Sequence, residues 1–267
     1  MILRCVTSAL FIGALAIPTA RAASASPDAA RVALKAIAAG AHRAPANKVR
    51  DKYRHPVATL AFFGIRPDAT VVEIWPAGGY WTEILAPYLR DHGHYIAAVG
   101  GHDAGVQKFT AAFGTKPELY GKITVVGLDA KHVQAIAPDG TADFVLTFRN
   151  VHNWMKAGHA DDMFAAFYKA LKKGGTLGLV EHRAEPTKRQ DPKAANGYVR
   201  EDYVIALAKK AGFTVIARAD INANPKDTKD YAQGVWTLPP TLRLGAQDKD
   251  KYLAIGESDR MTLLFRK

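Results

Sequence analysis

The chain has 267 residues, 48% of them hydrophobic, and a formal net charge of +11. That length suits one large domain or one domain with additions, and that apolar content excludes disorder throughout. Lys and Arg are scattered rather than gathered with aromatics on one face, so a nucleic-acid surface is not expected; the charge fits a solvated basic surface or attraction to anionic partners.

Arg4, the apolar run Cys5 to Ile17, Pro18 and the small-residue ending Ala20-Arg21-Ala22 read as a secretory signal, residues 1–22, cleaved after Ala22. The run is shorter than the roughly 20 residues of a membrane span. A periplasmic or secreted protein without stable membrane insertion is therefore expected. Cleavage takes Arg4 and Arg21 with it, leaving a charge of +9. It also takes Cys5, the single cysteine, so the mature chain is expected to hold no disulfide, thiolate nucleophile or cysteine–metal site.

Residues 23–55 read as an N-terminal helical extension, with a polar linker Ser24–Asp28, a helix Asp28–Ala39 stopped by Gly40, and a helix over Ala44–Arg54. The main domain, 56–267, opens with a helix Pro56–Phe63 that starts on proline and ends at Gly64. Strands are then expected at Thr70–Ile74, Tyr95–Val99, Ile123–Gly127, Phe144–Thr147, Thr176–Val180, Phe213–Ala219 and Met261–Phe265. Between them come helices at Tyr80–Arg90, bent at Pro87, at Ala104–Ala112, weakly near His132, at Asp161–Lys172 and at Arg200–Ala211. This alternation predicts the α/β class: a doubly wound, mostly parallel seven-stranded sheet covered on both faces. Ligands in such sheets bind beyond the carboxyl ends of the strands. That rule gathers 75–79, 100–103, Asp129, 149–154 and 181–183 around one crevice. A long insertion, 222–260, precedes the last strand where a short hairpin would suffice. Its Trp236, Pro239, Pro240, Tyr252 and Ile255 predict a packed lid.

Five segments, in this order, carry a resemblance: VVEIWPAGG, VVGLDA, ADFVLTFRNVHNW, ALKKGGTLGLVEHR and AKKAGFTVIARADI. Together they resemble a class I methyltransferase using S-adenosylmethionine, from about Pro56 to the C-terminus, and so a Rossmann-like methyltransferase fold. EIWPAGGYWTEILAPYL, GYVREDYVIALAKKAGF, INANPKDTKDY, GVWTLPPTL and YLAIGESDRM further resemble an exported bacterial group of predicted methyltransferases. The resemblance implies S-adenosylmethionine as cofactor, with Glu73, Ala77, Gly78, Gly79, Gly100, Asp103, Asp129, Ala130 and Asn150 as its contacts. Asp129 corresponds to the acid that meets the adenine amino group. The acid that holds the ribose aligns with Val99, and Asp103 stands four residues on as a substitute. The family's loop pattern, acid-x-Gly-x-Gly-x-Gly, reads here Glu73, Trp75, Ala77, Gly79. Only the last glycine remains, and Trp75 is expected to face the sheet or the lid.

His152 lies just past the fourth strand, where the acceptor belongs. It is read as a general base for an acceptor with a proton to lose, against a purely local packing role. His182 reads equally as a second base or substrate contact and as a cap held by Glu181. Trp154, Arg183, Tyr198 and Trp236 are the candidate acceptor contacts, and Arg183 suits an anionic acceptor or is merely solvated. His92 and His94 read as a solvated turn, and no metal site is expected. Two functions follow: methyl transfer to a small-molecule or cell-envelope acceptor, or an exported, non-catalytic ligand-binding or scaffold protein on the same fold. The sequence sets no oligomeric state.

Overall fold

A computed structural model describes residues 26–128 and 135–267. The expected signal segment, the candidates Asp129 and Ala130 and the weak helix near His132 lie outside the described residues. Helix α1 (Pro27–Ala39) begins under Ser26, whose hydroxyl accepts from the Ala29 N–H at 3.2 Å. The continuous helix expected over Ala44–Arg54 is instead two single turns, α2 (Pro45–Lys48) and α3 (Asp51–Arg54). Arg50, at the break, is pulled into an ion pair with Glu257 at 2.6 Å, and His55 ends α3 in a left-handed conformation just before Pro56. Helix α4 (Pro56–Phe63) follows as expected.

The sheet is built from β1 (Thr70–Ile74), β2 (His94–Gly100), β3 (Thr124–Leu128), β4 (Ala142–Phe148), β5 (Leu171–His182), β6 (Thr214–Ala219) and β7 (Arg260–Arg266). Its order is β3-β2-β1-β4-β5-β7-β6, with only β7 antiparallel to its neighbours. Side chains alternate between two cores, as buried strands require. Val71 packs with Leu60 and Phe63 of α4 and with Ile84 and Leu85 of α5 (Thr82–Leu89). Val72 and Ile74 face Phe164 and Phe167 of α9 (Ala160–Ala170) and Val204 of α10 (Glu201–Lys210). Helix α6 (His102–Phe109) links β2 toward β3, and α7 (Pro117–Tyr120) adds one turn before β3. Helix α8 (Val151–Ala157), where an open loop is expected, follows β4. It spans only seven residues, too few for a periodic signal. Helix α11 (Lys249–Ile255) lies in the insertion before β7.

β1 and β4 are adjacent, yet the chain leaves β1 toward β2 and β4 toward β5. The switch point therefore opens between the carboxyl ends of β1 and β4. Among the described residues, no helix is long and apolar enough to cross a membrane.

Candidate active site

The loop after β1 keeps a glycine-loop backbone without the glycines. Trp75, Ala77 and Gly79 occupy the three glycine positions of the pattern, and all three have positive φ: 48°, 49° and 78°. For Trp75 and Ala77 this is a strained region, costing about 1–2 kcal/mol each. The strain is held by hydrogen bonds: Trp75 N–H donates to Ala98 at 2.8 Å and Gly79 N–H to Pro76 at 2.9 Å. A Cβ at Gly79 would meet the Phe113 ring at 2.0 Å, so this glycine makes room for Phe113, and the side chain-free approach to a ligand falls elsewhere. At Gly78 a Cβ would meet nothing within 4 Å, and Ala77 and Gly78 are exposed. They form the loop's free surface. The Trp75 indole covers the end of β2, 2.8 Å from a Cβ built on Gly100, and meets Trp154 edge-on at 5.8 Å.

Glu73 is buried beneath this loop. Tyr95 donates to its Oε2 at 2.5 Å and Thr82 at 3.1 Å. Burial pushes its carboxyl up to about 7, and the two hydroxyl donors offset only part of that. An acid whose folded value is raised contributes stability that is full below the ordinary carboxylate range and lost as pH rises through about 7. Glu73→Gln keeps the shape and removes the titration. Urea unfolding at about pH 5 and about pH 8 should show wild type losing roughly 2–3 kcal/mol more than the variant between the two. Parallel losses in both proteins would show that Glu73 is ionised throughout.

A cavity of about 300 Å³ opens at the switch point. Glu73 and Pro76–Gly78 wall it from β1, Phe148–Asn150 and His152 from β4 and α8, and His182 from β5. Arg50 and Arg54 close it from the N-terminal turns, and Val235, Trp236 and 239–241 from the insertion. A second cavity of about 620 Å³, lined by Val99, Gly100, Phe109 and Phe113, lies on the β2 side and shares Trp75, Ala77 and Gly78 with the first.

Within the first cavity, Glu181 organises two histidines. The backbone N–H of His152 donates to Oε2 at 3.3 Å and that of His182 to Oε1 at 2.8 Å. His152 Nδ1 lies 3.0 Å from Oε1. A carboxylate only accepts, so Nδ1 carries the proton and Nε2 is left as the basic nitrogen. The Trp236 ring stands edge-on to His152 at 5.9 Å. His182 is bonded through Nδ1 to the Ser258 hydroxyl. Burial first, then neighbouring His152 and the guanidiniums of Arg149, Arg260 and Arg54, drive its pKa well below the usual range, so it is a neutral imidazole. The ligating atoms of His152, Glu181 and His182 lie within 4.8 Å of one another, close enough for a metal ion. The surroundings oppose one: N–H donors already take both Glu181 oxygens, and buried guanidiniums surround the set.

The remaining candidates separate. Asn150 lines the cavity, but its amide is spent on Ile74 O at 3.0 Å and Thr147 Oγ1 at 3.2 Å, clamping β1 to β4. Trp154 is not a loop contact: it lies in α8, 1% exposed, packed between Trp75 and Phe167. Tyr198 is also displaced from a substrate role, because its buried hydroxyl donates to Asp227 at 2.8 Å. Arg183 is turned away from the cavity and tied to Asp259 and Asp220, which raise its pKa further. Asp103 is exposed in the first turn of α6 and lines neither cavity, so it does not replace the missing ribose acid. Gly100 borders the second cavity under Trp75. Trp236 is at the site, on the short helical turn Gly234–Thr237.

Arg50, Arg54, Arg149 and Glu181 are the site residues that sequence reasoning passed over as chemistry. The RDKYR stretch held a signal, since a four-residue spacing puts two arginines on one side of a helical turn.

No protein-family model and no curated protein matches the chain. Solved structures do. A SAM-dependent methyltransferase from Aquifex aeolicus aligns at TM-score 0.56 and 15% identity, covering 88% of this chain and 97% of its own. The 4+2 cyclase SpnF aligns at 0.57 and 12% identity, over 80% of each chain. Phosphoethanolamine N-methyltransferase 2 of Haemonchus contortus, solved with S-adenosyl-L-methionine, aligns at 0.51 and 15% identity, over 80% of this chain and 52% of its own. The chain has the fold of the S-adenosylmethionine-dependent methyltransferases. A cyclase shares that fold, so activity has to be argued from the site.

Proposed function

We propose that this methyltransferase-fold protein transfers a methyl group from S-adenosylmethionine to a small-molecule or cell-envelope acceptor. We further propose that it acts outside the cytoplasm, in the exported bacterial group its motifs resemble. The observation that carries the reading is one cavity bordered by the Glu73–Gly79 loop on one side and the Glu181-oriented His152 on the other.

The residues present fit most of the cofactor. Glu73 and exposed Ala77 and Gly78 suit its amino-acid end; the apolar cavity of Val99, Phe109 and Phe113 suits its base. The ribose acid is the misfit: Val99 stands in its place, and no carboxylate lines that cavity among the described residues. When bound, the cofactor supplies an electrophilic methyl group on a sulfonium. His152 Nε2 takes the acceptor's proton as the bond forms, and Glu181 stabilises the imidazolium that results. The walls of the cavity hold the acceptor close and in line. Residues 222–260 serve as a lid whose Trp236 and 239–241 cover the acceptor.

A second reading, a cofactor-free binding protein, is favoured by Trp75 over Gly100 and by the absent ribose acid. Trp75→Gly tests what the indole does at the loop. It relieves the strained φ and clears the β2 end, so it should tighten S-adenosylhomocysteine binding by about two- to tenfold while lowering the melting temperature. Weaker binding in calorimetry would identify the indole as a stacking platform instead. The function itself is tested with methyl-labelled S-adenosylmethionine and a low-molecular-weight envelope extract. Label entering the extract with wild type but not with His152→Ala supports methyl transfer; no transfer by either supports the binding protein.

A further inference from the structure

The arginine end of the first cavity carries more positive charge than the chain neutralises. Arg50 Nε and Arg54 Nε donate to Glu257 at 2.6 and 3.3 Å, and Arg260 Nη2 donates to it at 2.6 Å. One carboxylate thus serves three guanidiniums. The fourth, Arg149, has no hydrogen bond or ion pair from its side chain among the described residues. Its backbone is pinned at φ 63° by its N–H on Val180 O at 2.7 Å, which fixes where the side chain begins. Arg50 Nη2 and Arg54 Nη2 are also buried without a partner, although the Arg54 side chain is only 3% exposed. Burial and the neighbouring Arg149 work against the charge on Arg54, so the cluster is costly as it stands. Counting Glu181, which acts on Arg149, four cations face two carboxylates. The surplus is two.

We propose that Arg50, Arg54 and Arg149 bind a dianionic group of the acceptor, of the phosphate monoester class. The amino-acid end of the cofactor does not meet this need. It is a zwitterion, so its carboxylate arrives with an ammonium and leaves the surplus in place. A phosphate monoester brings two charges and three acceptor oxygens, which match planar guanidinium donors. This inference rests on the methyl-transfer reading for the word acceptor, but the anion site is measurable without any turnover.

The test is calorimetry with glycerol phosphate on the full protein, in a chloride buffer at about pH 8, where the ester is dianionic. Uncharged glycerol and acetate are the controls. Glycerol phosphate should bind and raise the melting temperature; the two controls should not. Arg149→Met and Arg54→Gln should each weaken that binding about tenfold or more. They should leave the melting temperature equal or higher, because an unbalanced buried charge is gone. The binding should persist when S-adenosylhomocysteine is saturating. If the homologue displaces the ester, the arginines serve the cofactor's carboxylate and the proposal is overturned. It is also overturned if glycerol phosphate binds no better than glycerol, or if the arginine variants bind it as well as wild type. Binding of the ester without any response to S-adenosylmethionine would keep the anion site and remove methyl transfer, so the two failures are distinct.

Discussion

Replacing His152 with alanine is expected to lower kcat for methyl transfer by about 10²–10⁴-fold while leaving S-adenosylhomocysteine affinity unchanged. The split follows from the geometry. His152 reaches the cavity from the first turn of α8, and Glu181 bonds its Nδ1 and so leaves Nε2 as the base. The Glu73–Gly79 loop lies across the cavity and does not depend on the imidazole. Glu181→Gln should lose rate as well, because an amide no longer fixes the tautomer or stabilises the imidazolium. Its loss should be smaller than that of His152→Ala, since the imidazole remains. If His152→Ala retains full kcat, the acceptor is already ionised when it binds, and the cavity acts through positioning alone.

Glu257→Gln is expected to destabilise the fold by about 3–5 kcal/mol, read as a large fall in the urea midpoint. Burial alone would raise the Glu257 pKa, but Arg260, Arg54 and Arg50 outweigh it and hold the carboxyl at about 2. With the folded value depressed, the stabilisation is present above the ordinary carboxylate range and is lost as pH falls toward 2. The amide leaves Arg50, Arg54 and Arg260 without their shared counter-ion. Phosphate added to the variant should restore part of the midpoint, because it supplies the missing charge. A variant as stable as wild type would mean that water, not Glu257, keeps those guanidiniums tolerable.

The sheet was legible because its strands are short apolar runs between turn residues, as Thr70–Ile74 and Phe144–Thr147 are. The crevice followed from the same order, since β1 and β4 must flank the switch point. What was not legible depends on contacts far apart in the chain. Arg50 meets Glu257 across 207 positions, and nothing near either residue announces the pair. The break between α2 and α3 falls at this same Arg50. Trp154 read as an acceptor contact in a loop because the seven-residue α8 is too short to show a period, and its burial comes from α9, which covers it. Arg183 read as a free cation because Asp220 and Asp259 reach it only after β6 and β7 pair. The loop was half legible: the pattern marked Trp75 and Ala77 as glycine positions, and only the backbone shows that they keep the glycine conformation.

Calorimetric titration of the protein with S-adenosylhomocysteine isolates the cofactor site, because it reads binding without needing the acceptor. Saturable one-to-one binding is expected, weakened about tenfold or more by Gly78→Val, whose side chain would stand on the open surface between the two cavities. No heat of binding at millimolar ligand, or binding that Gly78→Val leaves unchanged, would contradict it.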